Sequence, residues 1–287
     1  LWIPTKNRSQ FLLRTLNYYK KTNFKGHIFI GDSSEGEEKE KNSDNIKKYS
    51  KDLSIYYSLF PNTSTGHVSS QLVPQIETDF SSFLSDDDII ITPSIDLAIK
   101  KLENDNSLIG VSGKALLFQV EDSKPFGNLL NTSPYELGYF DNNNSIDRFK
   151  KIFSSVKSIN MCINRTENHR AVFQQVSKLS KLHSSYIYEE LLGCVIMSIR
   201  GKIIHLPNLF LCRHGHVNQA YFGYNFFDWL TDKDWFSSFE ILQQTAIKEI
   251  INSENITKNE AKIIFNNFFW IYLRSQINYS RNSSNLK

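Results

Sequence analysis

At roughly 100–200 residues per domain, the 287-residue chain suits one large or two small domains, and 40% hydrophobic with 13% aromatic content supplies ample core material. Such a composition excludes a largely disordered chain. The 33 basic and 30 acidic residues, a net charge of +3, are too balanced for a nucleic-acid binder, which needs a clustered basic face. Mild basicity still suits a phosphate-bearing substrate or an anionic membrane surface.

Cys162, Cys194 and Cys212 lack metal-type spacing and are too few for a disulfide framework; they read as buried thiols in a reducing compartment. No apolar run approaches the ~18 residues needed to cross a bilayer. The expected location is therefore cytoplasmic, with room for contact at the inner face of a membrane. The chain opens at Leu1 directly into strand-like sequence and reads as a piece of a longer protein.

Leu1-Trp2-Ile3-Pro4 is a short apolar run, and Ser9 to Lys21 carries helical periodicity through Phe11, Leu12, Thr15, Leu16 and Tyr19. His27-Ile28-Phe29-Ile30 predicts a strand closed by Gly31-Asp32, followed by a charged loop and solvated helix over 33–51. Leu53 to Tyr57 predicts a third strand, Gly66 to Glu77 a helix, and Asp79 to Leu84 a fourth strand running into Asp86-Asp87-Asp88. Thr92-Pro93 opens a helix through Lys101, with proline suited to a first turn, and Leu108 to Val120 predicts another strand. This alternation predicts a mostly parallel sheet covered on both faces by helices. Such sheets bind ligands at the carboxyl ends of their strands, where Asp32 and the acidic triplet both fall.

From 121 to 160 the periodicity fades into Asn, Ser, Pro and Gly, predicting a long surface excursion of the kind used as a lid or binding loop. Helices are expected near Arg170 to Leu182 and over Glu189 to Arg200, the second closed by Gly201, with a strand pair over Lys202 to Cys212. Gln219 to Ile277 is expected to be helical. Its aromatic residues, among them Trp229, Trp235, Phe269 and Trp270, read as core or as a homo-oligomer interface, ahead of a peripheral membrane contact.

Three adjacent aspartates repel one another unless something cationic offsets them. A divalent cation does so, and Mg²⁺ takes one or two carboxylates and completes its shell with water and substrate phosphates. The competing reading is a solvated turn or a cap for the helix after Pro93. Glu189 and Glu190 likewise read as first-turn acids of a helix, and Asp32 as a turn cap with Ser33 and Ser34. In an extended segment Asp86 and Asp88 share one face and Asp87 points away. His214 and His216 also alternate as a metal pair would, but Gly215 between them leaves His214 alone as a site candidate.

In chain order, Ile3-Pro4-Thr5-Lys6-Asn7-Arg8, Phe29-Ile30-Gly31-Asp32-Ser33-Ser34 and Phe83-Leu84-Ser85-Asp86-Asp87-Asp88 sit at strand ends. This pattern resembles the GT-A glycosyltransferases, specifically the large inverting family 2 group. There the first strand reads (I/V)-P-T-x-N-R, the second ends in Asp-Asp-x-Ser and the fourth ends in a D-x-D metal motif. Gly31 stands in place of the first acid of the second motif, and Asp32 keeps the second. Downstream, Tyr188-Glu189-Glu190 begins a helix ending at Arg200-Gly201, followed by Lys202-Ile203-Ile204-His205-Leu206-Pro207. The family shows Glu-Asp, a helix, then Gly and a (K/R)-(I/V)-x-x-(L/V)-P strand at a similar interval, here 201 − 189 = 12 positions. Glu190 replaces the family's Asp, so either glutamate is open as the base. Cys212-Arg213-His214-Gly215-His216 stands where many such enzymes place a histidine near metal and diphosphate.

The resemblance covers residues 1–216 and implies an α/β fold: a GT-A (Rossmann-like) mostly parallel sheet flanked by helices. Residues 1–117 would form the nucleotide-sugar-binding half, 118–216 the acceptor-side half, and 217–287 a helical C-terminal extension. It implies transfer of a sugar from a nucleoside diphosphate donor, by family default a UDP-sugar, to a carbohydrate or glycolipid hydroxyl with inversion. The setting implied is bacterial surface polysaccharide or glycoconjugate assembly. Pro4, Thr5, Asn7, Arg8, Asp32, Asp86 and Asp87 would bind the nucleotide, and Asp86, Asp88 and His214 a divalent cation, Mn²⁺ or Mg²⁺. Glu189 or Glu190 would be the catalytic base. Two rivals are a catalytically idle module of the same fold and a nucleotidyltransferase, though the latter wants a glycine-rich loop where Pro4-Thr5-Lys6-Asn7-Arg8 stands.

Overall fold

A computed structural model describes residues 1–181, 186–217 and 226–284. The N-terminal third is a parallel three-stranded sheet of β1 (Trp2–Thr5), β2 (His27–Asp32) and β3 (Ser54–Leu59) in the order β1-β2-β3, with α1 (Ser9–Lys21) and α2 (Gly36–Tyr49) as crossovers. The helix α3 (Thr65–Leu72) follows, then the short strands β4 (Phe80–Ser81) and β5 (Ile89–Ile90) on either side of the acidic triplet, and α4 (Thr92–Asn104). The long strand β6 (Leu108–Val120) leads through β7 (Leu129–Tyr135), α5 (Ser145–Ser154), β8 (Ile163–Arg165), α6 (Thr166–Val176) and α7 (Tyr186–Arg200) to β9 (Lys202–His214). Three helices follow: α8 (Phe226–Leu230), α9 (Trp235–Glu254) and α10 (Lys258–Ser284). The expected helical residues 219–225 and Leu182 lie outside the described residues.

The second sheet runs β4-β8-β6-β9-β5, with β7 also on β6. The two sheets meet where Trp2 N–H donates to the Ser82 carbonyl at 3.1 Å and Leu84 N–H to the Trp2 carbonyl at 3.0 Å. Parallel pairing thus continues from β1 into the segment before the triplet, and Thr5 and Asp86 arrive at the same sheet edge. Side chains alternate across β1: Trp2 joins one buried cluster and Ile3 the other. The Ile3 cluster is closed by α1, α2 and α4, and the Trp2 cluster by α3, α5, α6, α7, α9 and α10.

Two expectations are corrected here. Residues 121–160 are not a long excursion but carry β7 and α5. β7 is mostly exposed on both faces, so its sequence shows no alternation, and the stripe of α5 (Phe149, Ile152, Phe153) spans barely two turns. The strand pair at 202–212 is one strand: the β6–β9 register jumps from Leu206 to Leu209, a bulge at Pro207-Asn208, where proline offers no N–H to the ladder. Among the described residues no helix is long and apolar enough to cross a membrane.

Buried Arg148 of α5 ties the end of α7. It donates to the Ser198 carbonyl at 2.7 Å and the Ile199 carbonyl at 2.8 Å, and to the Asn142 and Asn143 carbonyls at 2.9 and 2.7 Å. The Ser198 and Ile199 carbonyls, in the last turn of α7, have no intrahelical partner. Arg148→Met is expected to destabilise the chain by about 2–4 kcal/mol through lost charge-assisted bonds, read as a shift in urea midpoint; a shift within error would show that water replaces the guanidinium.

Candidate active site

The triplet sits between the end of β1, the start of α1 and the end of β9. Asp86, Asp87 and Asp88 are 0%, 3% and 0% exposed. Asp88 N–H donates to the Ser85 carbonyl at 3.1 Å, so the segment is a turn and the alternation expected of an extended strand does not apply. Asp87 consequently faces the same cluster as its neighbours.

From one side, Thr5 Oγ1 donates to Asp86 Oδ2 at 2.6 Å, Arg8 Nε to the same oxygen at 3.2 Å, and Arg8 Nη2 pairs with Asp86 Oδ1. Arg8 Nη1 reaches Asp87 Oδ2 at 2.9 Å. A cation at a helix start opposes the helix dipole; here the carboxylates outweigh it. From the other side, His214 N–H donates to Asp88 Oδ1 at 3.0 Å, Arg213 Nε lies 3.3 Å from Asp88 Oδ2, and His216 Nε2 is 2.8 Å from Asp87 Oδ2. Thr15 Oγ1 donates to the Asp86 carbonyl at 2.8 Å. Arg14 binds the Asp87 carbonyl, the Pro125 carbonyl at 2.9 Å and His214 Nδ1 at 3.0 Å.

Burial pushes the Asp86 carboxyl up to about 6, against Arg8 and with the help of Asp87, and burial together with the Asp87 charge pushes Asp88 up to about 7. Asp87 is also buried, but the His216 hydrogen bond and the Arg8 charge hold it well below the usual carboxylate range. Burial, then Arg14 and His216, pull the His214 imidazole down to about 4. Arg14 donating to Nδ1 leaves the ring proton of the neutral imidazole on Nε2. The ring stacks on Phe118 at 4.7 Å and 8°, so His214 serves the triplet through its backbone N–H.

The expected nucleotide residues fall into two groups. Thr5 and Arg8 touch the triplet directly. Pro4 lies opposite Gly31 in the β1–β2 ladder, and Asn7, at φ 54, ties this loop to the next: its N–H donates to Ser34 Oγ at 2.7 Å and its Oδ1 accepts from Glu35 N–H at 3.0 Å. Asp32 is 1% exposed and accepts from Ser34 N–H at 2.7 Å, Asn42 at 3.0 Å and Tyr57 hydroxyl at 2.6 Å. It anchors the end of β2 beside Asn7 and does not reach the triplet. Gly31 has a packing cause: a Cβ there would lie 2.1 Å from Val68 Cγ1 and 2.9 Å from Leu72 Cδ1 of α3, leaving no space for the family's acid.

Glu189 and Glu190 open α7 and face different surroundings. Glu189 abuts α3, where a Cβ on Gly66 would fall 1.8 Å from its Oε1. Burial pushes its carboxyl up to about 8. Burial also raises Glu190, opposed by the Arg213 charge and a hydrogen bond from Ser158. Glu190 therefore shares Arg213 with Asp88, and Glu189 does not. Arg14, Arg213, His216 and Tyr135, whose hydroxyl accepts from Arg213 Nη1, belong to the site but were not marked by sequence. Arg213 and His216 flank the recognised His214, so their adjacency was an available signal; Arg14 lies inside a helical pattern and gave none.

Asp88 Oδ2 is the atom a divalent cation would take: the carboxylate is fully buried and this oxygen accepts no hydrogen bond, with Arg213 Nε as its charged neighbour at 3.3 Å. Among the described residues no group of three or more acidic, His or Cys side chains is placed to hold an ion, so the expected set of Asp86, Asp88 and His214 does not converge on one point. Asp86 is already engaged by Thr5 and Arg8.

A carboxyl raised from 4.5 to about 8 favours the fold in its protonated form. Its contribution is full below the unfolded value and is lost as pH rises through the folded one. Glu189→Gln should match wild type at pH 4 within ~0.5 kcal/mol and exceed it at pH 9 by on the order of 4 kcal/mol. Urea unfolding at both pH values checks this; a pH-independent difference would contradict it.

No protein-family model and no curated protein sequence matches the chain. Among solved structures it is similar to S. aureus TarS 1-349, at 15% identity and a TM-score of 0.62, covering 98% of this chain and 72% of that one. The same TarS fragment in complex with UDP-GlcNAc aligns at 16% identity and TM-score 0.65 over 98% and 73%. Its complex with UDP aligns at 15% and 0.61 over 98% and 72%. TarS is a GT-A glycosyltransferase, and the architecture built up above is of that kind: the chain has a GT-A-like fold with a helical C-terminal part.

Proposed function

We propose that this chain is an inverting, metal-dependent glycosyltransferase moving a sugar from a nucleoside diphosphate sugar to a carbohydrate or glycolipid hydroxyl. The observation that carries the reading is the convergence of Thr5, Arg8, the triplet and Arg213 at one sheet edge, with Glu190 within the field of the same Arg213. Structural neighbours bound to UDP and UDP-GlcNAc support UDP as the nucleotide. A cytoplasmic role at the inner face of a membrane, in surface polysaccharide or glycoconjugate assembly, is the setting proposed.

The nucleoside is assigned to the cavity of about 460 Å³ lined by Lys6, Asn7, Arg8, Gln10 and Phe11 beside the triplet. A divalent cation held by Asp88 would supply Lewis-acid neutralisation of the departing diphosphate. Arg8 and Arg213 contribute fixed positive charge where negative charge develops, without reorganisation during reaction. Glu190 is the proposed base: its raised basicity suits it to take the acceptor hydroxyl proton as that oxygen attacks the anomeric carbon. Attack opposite the leaving group inverts the configuration. Glu189, turned toward α3, holds the start of α7 in place.

One observation favours a second reading, an idle donor-binding module: Arg8 and Arg213 already balance much of the triplet's charge. Glu190→Gln separates the two. It should lower sugar transfer by ~10²–10⁴-fold while UDP affinity by calorimetry stays within about twofold, since the base does not hold the donor. Asp88→Asn should weaken Mn²⁺-dependent UDP binding about tenfold or more. Wild type that binds no UDP with Mn²⁺ or Mg²⁺ present would sink the transferase reading.

A further inference from the structure

We infer that the outer face of the α9–α10 hairpin is a docking surface for an anionic lipid bilayer. This face is separate from the donor site, and its use as a dock does not depend on the transferase reading.

Helix packing leaves the face uncovered. On the inner side, Phe239 of α9 packs against Phe265 and Phe269 of α10, with ring centroids 6.1 and 5.0 Å apart. Phe265 and Phe269 belong to the core that includes α7. On the opposite side of α10, Ile263 and Ile277 are exposed and Trp270 is 64% exposed. These three recur every seven residues, a spacing that drifts by only about 20° per repeat on an α-helix, so they form one stripe. Phe236 of α9, 73% exposed, widens it. It lies one such repeat before Gln243, whose side-chain amide donates to Asn266 Oδ1 at 3.1 Å. Asn266 in turn neighbours Ile263 and Trp270 by helical spacing.

Cations border the stripe. Lys262 and Arg274 stand on its two sides, both exposed. From residue 261 onward the sequence holds Lys262, Arg274, Arg281 and Lys287 and no acidic residue. The acid of α10, Glu260, is turned to its own helix start, where it accepts from Thr257 N–H at 2.9 Å. Glu240 of α9 accepts from Gln244 at 3.1 Å. An apolar stripe between cations matches an anionic headgroup layer with acyl chains beneath it. Tryptophan settles at that boundary, its ring in the apolar layer and its N–H in the wet one.

A second copy of the chain fits the face less well. The exposed apolar area of the four side chains is on the order of 500 Å², against the ~800 Å² per partner that a stable interface buries. A two-fold contact of this stripe with itself would also bring Lys262 and Arg274 toward their own copies, with no acid on the stripe to pair them.

Flotation of the purified chain with vesicles tests the surface. Wild type should float with equimolar phosphatidylglycerol and phosphatidylcholine at least about tenfold more than with phosphatidylcholine alone, and high salt should release it. Trp270→Glu and Phe236→Glu should each lower the bound fraction about tenfold or more, at an unchanged urea midpoint that shows they fold. Trp270→Phe should still float, but without the blue shift in tryptophan emission that wild type shows when anionic vesicles are added. Wild type that stays in the aqueous phase, equal flotation on neutral vesicles, glutamate variants that float as wild type does, or a blue shift kept by Trp270→Phe would overturn the surface. A lipid-free dimer that Trp270→Glu dissolves would overturn it too, by making a second copy the occupant.

Discussion

Three carboxylates buried side by side need positive charge within a few ångströms, and Arg8 and Arg213 supply it from opposite directions. Arg8 begins α1 and Arg213 nearly ends β9, so the pair clamps the first crossover unit to the last strand of the sheet. Removing either would leave charge in a site with almost no water contact, where its neutralisation matters most. The backbone supports the same arrangement: Thr15 and Arg14 of α1 hold the triplet's carbonyls, and His214 N–H holds Asp88. Strand ends, helix start and acidic turn are one electrostatic unit, and the sheet order follows from the need to bring them together.

Much of this unit was legible in the chain. The periods of β1, β2, α1 and β6 are regular, and the acids stand at the points where apolar runs stop, so their shared edge could be inferred before any coordinates. The orientation of each acid was not. Asp87 joins the cluster because Ser85 to Asp88 forms a turn, and a turn carries no period. Asp32 stands at a strand end as a ligand group would, and it accepts from Ser34, Asn42 and Tyr57; hydrogen bonds over such separations leave no trace in spacing. The choice between Glu189 and Glu190 depended on their neighbours, α3 and Arg213, which lie far off in sequence. β7 was invisible because a strand with two exposed faces has no reason to alternate.

Gly31 illustrates how a departure from a motif can be steric and not functional. The side chain absent there is replaced by Val68 and Leu72 of α3, and α3 in turn gives Glu189 its resting place at Gly66. The helices after residue 226 act at a similar remove. Their aromatic residues, Phe265, Phe269 and Tyr272 among them, share a cluster with Leu191, Leu192 and Val195 of α7, and Arg200 pairs with Glu249 at 2.7 Å. Glu190 is thus positioned by a helix whose other faces are held by α5, α6 and α9.

The bond between Arg14 and His214 spans 200 residues of chain, and that between His214 and Asp88 spans 126. Contacts so distant in sequence form late, because loop closure must be met before they contribute. During synthesis from the N-terminus, the triplet emerges after the first sheet, and Arg8 and Arg14 of the α1 region are the cations that reach it before β9 leaves the ribosome. The grip of Arg8 on both Asp86 and Asp87 therefore also serves the nascent chain: it keeps half of an unfinished site charge-balanced while the other half is still being made.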